Sequence, residues 1–114
     1  MKNSEKMKTE IIGELTPQEI AALKKEHGAL AKVTVSHADG VKSVGFFKMP
    51  SRDVYALAMM QFGKNDVLGG NEVVLDNCFV SGDAAIKTND SLRMAAAMQM
   101  GTLLELLPSA IEKL

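Results

Sequence analysis

Residues 31–48 read AKVTVSHADGVKSVGFFK, and this stretch contains the pattern that decides the predicted fold. Two runs of residues that suit β-strands flank Asp39-Gly40, a pair that favours the type I′ turn of a two-residue hairpin loop. With such a loop, pairing starts at Ala38 and Val41 and continues outward along both strands. One face of the predicted hairpin is then apolar and consists of Val33, Val35, Val44 and Phe46.

The hairpin needs other elements around it, because two strands alone are marginally stable in water. We expect helices to cover its apolar face. Its outer edges carry unpaired backbone groups, which offer another chain a place to add a strand.

A helix is predicted before the hairpin, over residues 17–27. Thr16 can cap this helix, Pro17 suits its first position, and Glu19 can close a capping box back to Thr16. Gly28 supplies the positive φ that ends many helices. Residues 1–12 mix basic and acidic side chains and contain no long apolar run, so we expect a flexible N-terminal tail and no signal peptide.

Three helices are predicted after the hairpin. Ser51 caps the first, and the polar residues 89–91 open the last, which should continue until Pro108. Between the first two, residues 63–70 read GKNDVLGG and are predicted to form a flexible loop. The sequence SGD at 81–83 is predicted to end the second helix. The three helices are expected over residues 52–62, 71–80 and 90–107.

The predicted fold is a mostly helical α+β domain over residues 13–114, with the order αββααα. A chain of 114 residues with 46% hydrophobic content is long enough for one such domain with its own core. The formal net charge is -1, and basic and acidic residues are interspersed, which argues against a nucleic-acid-binding surface. Cys78 is the only cysteine, so an internal disulfide is impossible. Together with the absence of an evident signal peptide, this predicts a cytoplasmic location.

Few side chains are available for catalysis. His27 falls in the last turn of a helix, and His37 lies beside the hairpin turn opposite Lys42, where no pocket is expected. Cys78 has apolar neighbours, which favours a core position. Asp83 could serve as a metal ligand or an acid, but Ser-Gly-Asp is more typical of a turn. The sequence therefore predicts a non-enzymatic protein with no catalytic, cofactor-binding or metal-binding residues.

Residues 94–107 read MAAAMQMGTLLELL, and in a helix their apolar side chains extend most of the way round. The segment is too short to cross a membrane, since fourteen residues span about 21 Å of a hydrocarbon core about 30 Å thick. It could be the central helix of a small bundle, or part of it could bind a second copy or a hydrophobic client. Methionine favours a client, because its flexible side chain adapts to different surfaces. The predicted partner-binding residues are Met94, Met98, Met100, Leu103, Leu104 and Leu107.

Three blocks together resemble small phage and prophage proteins of the tail-assembly-chaperone type. They read GELTPQEIAALKKEHG at 13–28, GFFKMPSRDVYALAM at 45–59 and NEVVLDNCFVSGDAAI at 71–86. The resemblance implies a non-enzymatic protein that works as a multimer, binds the long helical tape measure protein and helps tail-tube subunits gather around it. It also implies structural roles for the matching positions, which are Phe46, Pro50, Arg52, Cys78, Gly82 and Asp83.

Two classes of function therefore follow from the sequence. The first is a tail assembly chaperone or adaptor that covers the apolar surface of a helical, aggregation-prone client. The alternative is a structural virion component, such as a connector or ring subunit joined through its hairpin edge, or a homo-oligomeric interaction module. A connector would remain in the finished particle, whereas a chaperone would not.

Overall fold

The computed structural model describes residues 10–106 and 108–114, and in this part of the chain it shows an α+β fold. The α+β class is thus confirmed, but the order of elements is not αββααα, since two short strands and one short helix are added. The elements are β1 (Ile11–Ile12), α1 (Pro17–His27), β2 (Leu30–Ser36), β3 (Lys42–Lys48), α2 (Arg52–Gly63), α3 (Val67–Cys78), β4 (Phe79–Gly82), α4 (Ala85–Thr88) and α5 (Asp90–Leu103).

β3 is the centre of the sheet, because every other described strand pairs with it. β2 runs antiparallel along one edge of β3. The opposite edge is shared: β1 pairs in parallel near the start of β3, and β4 pairs antiparallel from Gly45 to Phe47. Ile11 and Ile12 therefore belong to the sheet and not to the predicted flexible tail, whose residues 1–9 lie outside the described part of the chain.

The hairpin between β2 and β3 has a three-residue loop, so the predicted two-residue loop is wrong. The N–H of His37 donates to the carbonyl of Val41 (2.7 Å), and the N–H of Gly40 donates back to the carbonyl of His37 (3.1 Å). Gly40 has φ +90°. A tight turn followed by a glycine of positive φ is a common three-residue hairpin loop, and Asp39-Gly40 suits it as well as it suits the shorter one.

The longer loop shifts the register by one residue. Relative to β2, every side chain of β3 therefore lies on the face opposite to the predicted one. Val33 pairs with Gly45 and Val35 with Ser43, so Val44 and Phe46 lie on the opposite face from Val33 and Val35. The prediction that Val33, Val35, Val44 and Phe46 share one apolar face is therefore wrong. Both faces of β3 are buried.

Helices lie on both sides of the sheet. Val33 and Phe47 pack with residues of α2 to α5 in the main core. On the other face, the Lys32 ammonium lies 6.0 Å from the centre of the Phe46 ring and forms a 2.8 Å ion pair with Glu14, just before α1. α1 contacts β2, and we infer that it covers this second face.

The predicted caps of α1 and α2 are confirmed. The Thr16 hydroxyl accepts from the N–H of Glu19 (3.2 Å), while the Glu19 carboxylate accepts from the N–H of Thr16 (2.8 Å). Gly28 follows α1 with φ +83°. The Ser51 hydroxyl accepts from the N–H of Val54 at the start of α2 (3.3 Å).

α3 begins at Val67, so its first turn replaces the second half of the loop predicted over residues 63–70. The Asp66 carboxylate caps it by accepting from the N–H of Gly69 (2.8 Å). Gly70 lies directly against the ring of Phe62, where a side chain would collide. Gly70 therefore lets α2 and α3 approach closely. At its other end the helix stops at Cys78, and Phe79–Gly82 forms β4 where the sequence predicts a helix ending in a turn.

α5 ends at Leu103, earlier than the predicted end at residue 107. The hydroxyl of Tyr55 donates to the carbonyl of Leu104 (2.9 Å), which supplies a partner for a carbonyl at the helix end. Pro108 is therefore not what ends the helix.

Candidate functional site

The strongest candidate surface is the outward side of α5. Met94 and Met98 are 54% and 69% exposed, and at Gly101 an added side chain would meet no neighbouring atom within 4 Å. Positions i, i+4 and i+7 lie along one side of a helix, so these residues form a continuous strip about 10 Å long. We call Met94, Met98 and Gly101 the methionine ridge.

The other predicted partner-binding residues of α5 lie elsewhere. Met100 is fully buried and Leu104 is 7% exposed, and both belong to the core of the chain itself. Leu103 is half-buried and packs against that core. Leu107 lies outside the described residues. With 3.6 residues per turn, α5 directs Met100 and Leu104 inward together with Ala96. Of the predicted partner-binding residues, Met94 and Met98 are the ones that the described structure leaves well exposed.

An ion-pair network fixes α5 to α3 immediately before the ridge. Arg93 donates from Nε to Glu72 (2.8 Å), from Nη1 and Nη2 to the two carboxylate oxygens of Asp76 (2.8 Å each), and from Nη1 to the carbonyl of Lys87 (3.2 Å). The Arg93 guanidinium holds the pKa of the Asp76 carboxyl below its usual value, and the same hydrogen bonds raise the pKa of Arg93. This network was not predicted from the sequence, although Glu72 and Asp76 are spaced to share one helix face.

A second polar cluster joins the hairpin to the turn after β4. Ser43 is fully buried, and its hydroxyl donates to Asp83 Oδ2 (2.7 Å). His37 Nε2 lies 2.8 Å from the same Ser43 oxygen. Because the single hydroxyl proton points to Asp83, His37 must be the donor through Nε2–H. Ser43 was not identified from the sequence, because a serine facing helices is not distinguished from one facing water until the register is known.

This cluster is a structural tie between two segments. Ser43 is fully buried, so its hydroxyl cannot reach a substrate from solvent, and both of its hydrogen bonds are used within the chain, one to Asp83 and one from the histidine. Asp83 also accepts from the N–H of Ala85 (3.0 Å), as expected of a turn residue. Cys78 is buried, and burial raises the pKa of its thiol, which disfavours the reactive thiolate.

The six positions that the resemblance singled out lie in different parts of the fold. Phe46 and Cys78 are buried, and Pro50 lies just before the Ser51 cap of α2, whose first residue is the exposed Arg52. Gly82 has φ +121° and lies against the carbonyl of Val44.

Across residues 10–106 and 108–114, no three side chains of His, Cys, Asp or Glu converge in a way that could hold a metal ion. No helix in this part of the chain has both the length and the apolar character needed to cross a bilayer.

Comparison with protein-family models, with curated proteins and with solved structures finds no match to this chain. The geometry of the methionine ridge and the arrangement of the sheet are therefore the observations that support a function.

Proposed function

We propose that the protein is a non-enzymatic tail assembly chaperone or adaptor of a phage or prophage, which binds a helical, aggregation-prone client of the tape-measure type. The observation that carries this proposal is the methionine ridge. Two exposed methionines one turn apart are followed by a glycine that leaves the backbone of α5 bare. A second helix can approach closely at Gly101 while the methionines pack against its apolar side chains.

The client class comes from the three resembling blocks, and the ridge suits it for a physical reason. Methionine is flexible and polarizable, so it can pack against the varied apolar side chains of a long helix. Burial of apolar surface contributes about 25 cal/mol per Å² before association costs are subtracted. A contact limited to one strip of α5 therefore gives modest, reversible affinity, which an assembly factor needs if it must later release its client.

The proposal predicts that a long helical reading frame lies beside this gene. The test is co-expression with the protein that this frame encodes, followed by measurement of the soluble fraction of that protein. The M94E/M98E variant should lose the protective effect, because charge on the ridge cannot be buried against an apolar helix. A loss of about 1.5 kcal/mol at even one methionine weakens binding roughly tenfold. Leu104 is unsuitable for substitution, since it lies in the core.

M60E is the matched control. Met60 is 58% exposed on α2, so this variant places the same substitution at a similar exposure outside α5. It should protect the client as well as the parent protein does. The proposal fails if M94E/M98E, shown to be folded by circular dichroism, keeps the client as soluble as M60E does.

The second candidate is a structural virion component. The outer edge of β2, which pairs with no strand in the described part of the chain, favours it because such an edge can join subunits of a ring. Mass spectrometry of purified particles separates the two functions. A structural subunit would be present in every particle in fixed proportion to the tail proteins, whereas an assembly chaperone would be absent.

A further inference from the structure

The outer edge of β2 presents a row of backbone groups for pairing. The bond from the His37 N–H to Val41 shows that odd-numbered residues of β2 exchange hydrogen bonds with β3. The side to which the backbone N–H and C=O groups point alternates from one residue of a strand to the next, so those of the even-numbered residues point away from β3. These residues are Leu30, Lys32, Thr34 and Ser36. Among the described residues, no strand pairs with them.

Beside this edge, the helix layer leaves room for another strand. A hollow of about 130 Å³ is lined by Ala31 and Val33 of β2 and by Gln99, Thr102 and Leu103. A larger one of about 420 Å³ lies farther along β2, between Val35 and His37 on one side and Ser91 and Ala95 on the other. Both hollows lie between β2 and α5, where the inward side chains of an added strand would point.

We propose that the occupant is a second copy of this chain, whose β2 pairs antiparallel with β2 about a two-fold axis at Val33. In this register Lys32 lies opposite Thr34 of the second copy, and Leu30 lies opposite Ser36. All the outward-pointing backbone groups of β2 then have partners. On the helix side, Val33 lies opposite Val33 of the second copy, and Ala31 lies opposite Val35 of the second copy. The side chain of that Val35 points into the smaller hollow.

Pairing in either neighbouring two-fold register would be less stable than pairing centred on Val33. Centring the pair on Lys32 places two lysines directly opposite each other, which is destabilising. Centring it on Thr34 moves Leu30 past the end of the partner strand and leaves its backbone groups unpaired. In the Val33 register, the charge of Lys32 is also compensated within each copy by Glu14, 2.8 Å away.

The pairing joins the two sheets into one and keeps the helices of both copies on the same side. The second copy's α5 then runs antiparallel beside α5, with Gln99 and Thr102 near Ser91 and Ala95 across the axis. The methionine ridge borders this contact, because Thr102 lies one turn after Met98 and Ser91 about one turn before Met94. The backbone pairing of β2 involves neither methionine, so the proposed dimer does not depend on client binding, and it places two ridges on one surface.

Cysteine cross-linking tests the register. Val33 of the two copies would form a non-hydrogen-bonded pair with Cα atoms about 4.5 Å apart, which a disulfide can bridge. V33C should therefore give a covalent dimer under mild oxidation. V35C is the matched control on the same strand and face, because its two copies would lie about 14 Å apart. The parent chain, whose single Cys78 is buried, is the blank.

Mass in solution tests the dimer itself. Light scattering should give twice the 12.3 kDa chain mass for the parent and for T34V. T34P removes an outward N–H that β3 does not use, so it should give the single-chain mass while its circular dichroism spectrum stays that of the folded parent. M94E/M98E should remain dimeric. A parent of single-chain mass at the highest concentration, or V35C cross-linking as readily as V33C, would overturn the proposal, and neither result depends on T34P folding.

Discussion

Gly82 and Gly101 show that the same residue type meets opposite demands in this chain. Gly82 has φ +121° in β4, and an added Cβ would lie 2.8 Å from the Cα of Gly45 and closer still to the carbonyl of Val44. Gly101 lies within α5, where an added Cβ would meet nothing within 4 Å. A substitution to alanine should therefore have opposite signs at the two positions.

We expect G82A to lower the free energy of unfolding by about 3 kcal/mol, since it combines strain at positive φ with a clash against backbone atoms that cannot turn aside. G101A should raise it by about 0.5–1 kcal/mol, because alanine is the better helix former. Urea-induced unfolding, monitored by circular dichroism, measures the free energy of unfolding of both variants. Equal effects of the two substitutions would show that the backbone around Gly82 is not constrained as described.

At the scale of elements, the contact between α3 and α5 depends on one cation. Arg93 pairs with Glu72 and Asp76 of α3, and its side chain is mostly buried. We expect R93Q to cost about 2 kcal/mol at pH 7, because charge-assisted hydrogen bonds are lost and two carboxylates are left facing each other without a cation. K64Q, at an exposed position after α2, is the control and should change the stability by less than about 0.5 kcal/mol.

The same network predicts how this cost depends on pH. The pKa of Asp76 is lower in the folded chain than its usual value, chiefly because of the hydrogen bonds from Arg93. Its stabilising contribution is therefore present above the unfolded pKa of about 3.9 and is lost as the pH falls through the lower folded value. The difference in stability between the parent and R93Q should narrow below about pH 4. A difference that is constant from pH 7 to pH 3 would contradict this account.

Across the whole molecule, the features that the sequence predicted well are those set by neighbouring residues. Thr16, Glu19 and Ser51 cap helices through contacts three residues away, so their patterns are read without knowing the fold. The hairpin register depends on whether the loop has two or three residues, and Asp39-Gly40 suits both. Phe79–Gly82 forms a strand only because the edge of β3 is available, which a local pattern does not show.

The candidate site was predicted only in part, for a related reason. Composition identified the segment around Met94 and Met98, but a helix that is apolar on several sides does not show which side faces its own core. Packing against Leu75 and Val74 of α3 and the sheet resolves this by enclosing Met100 and Leu104. Gly101 became part of the site only once its side of the helix was known to be open.

The shared edge of β3 has a consequence for how the chain folds as it leaves the ribosome. β1 and β2 can pair with β3 once residue 48 has emerged, but β4 comes from residues 79–82. Until those residues are synthesised, the strand that pairs with β3 from Gly45 to Phe47 in the described structure is missing. The sheet therefore closes late in translation, and a fragment that stops after α2 would expose this edge to other nascent chains.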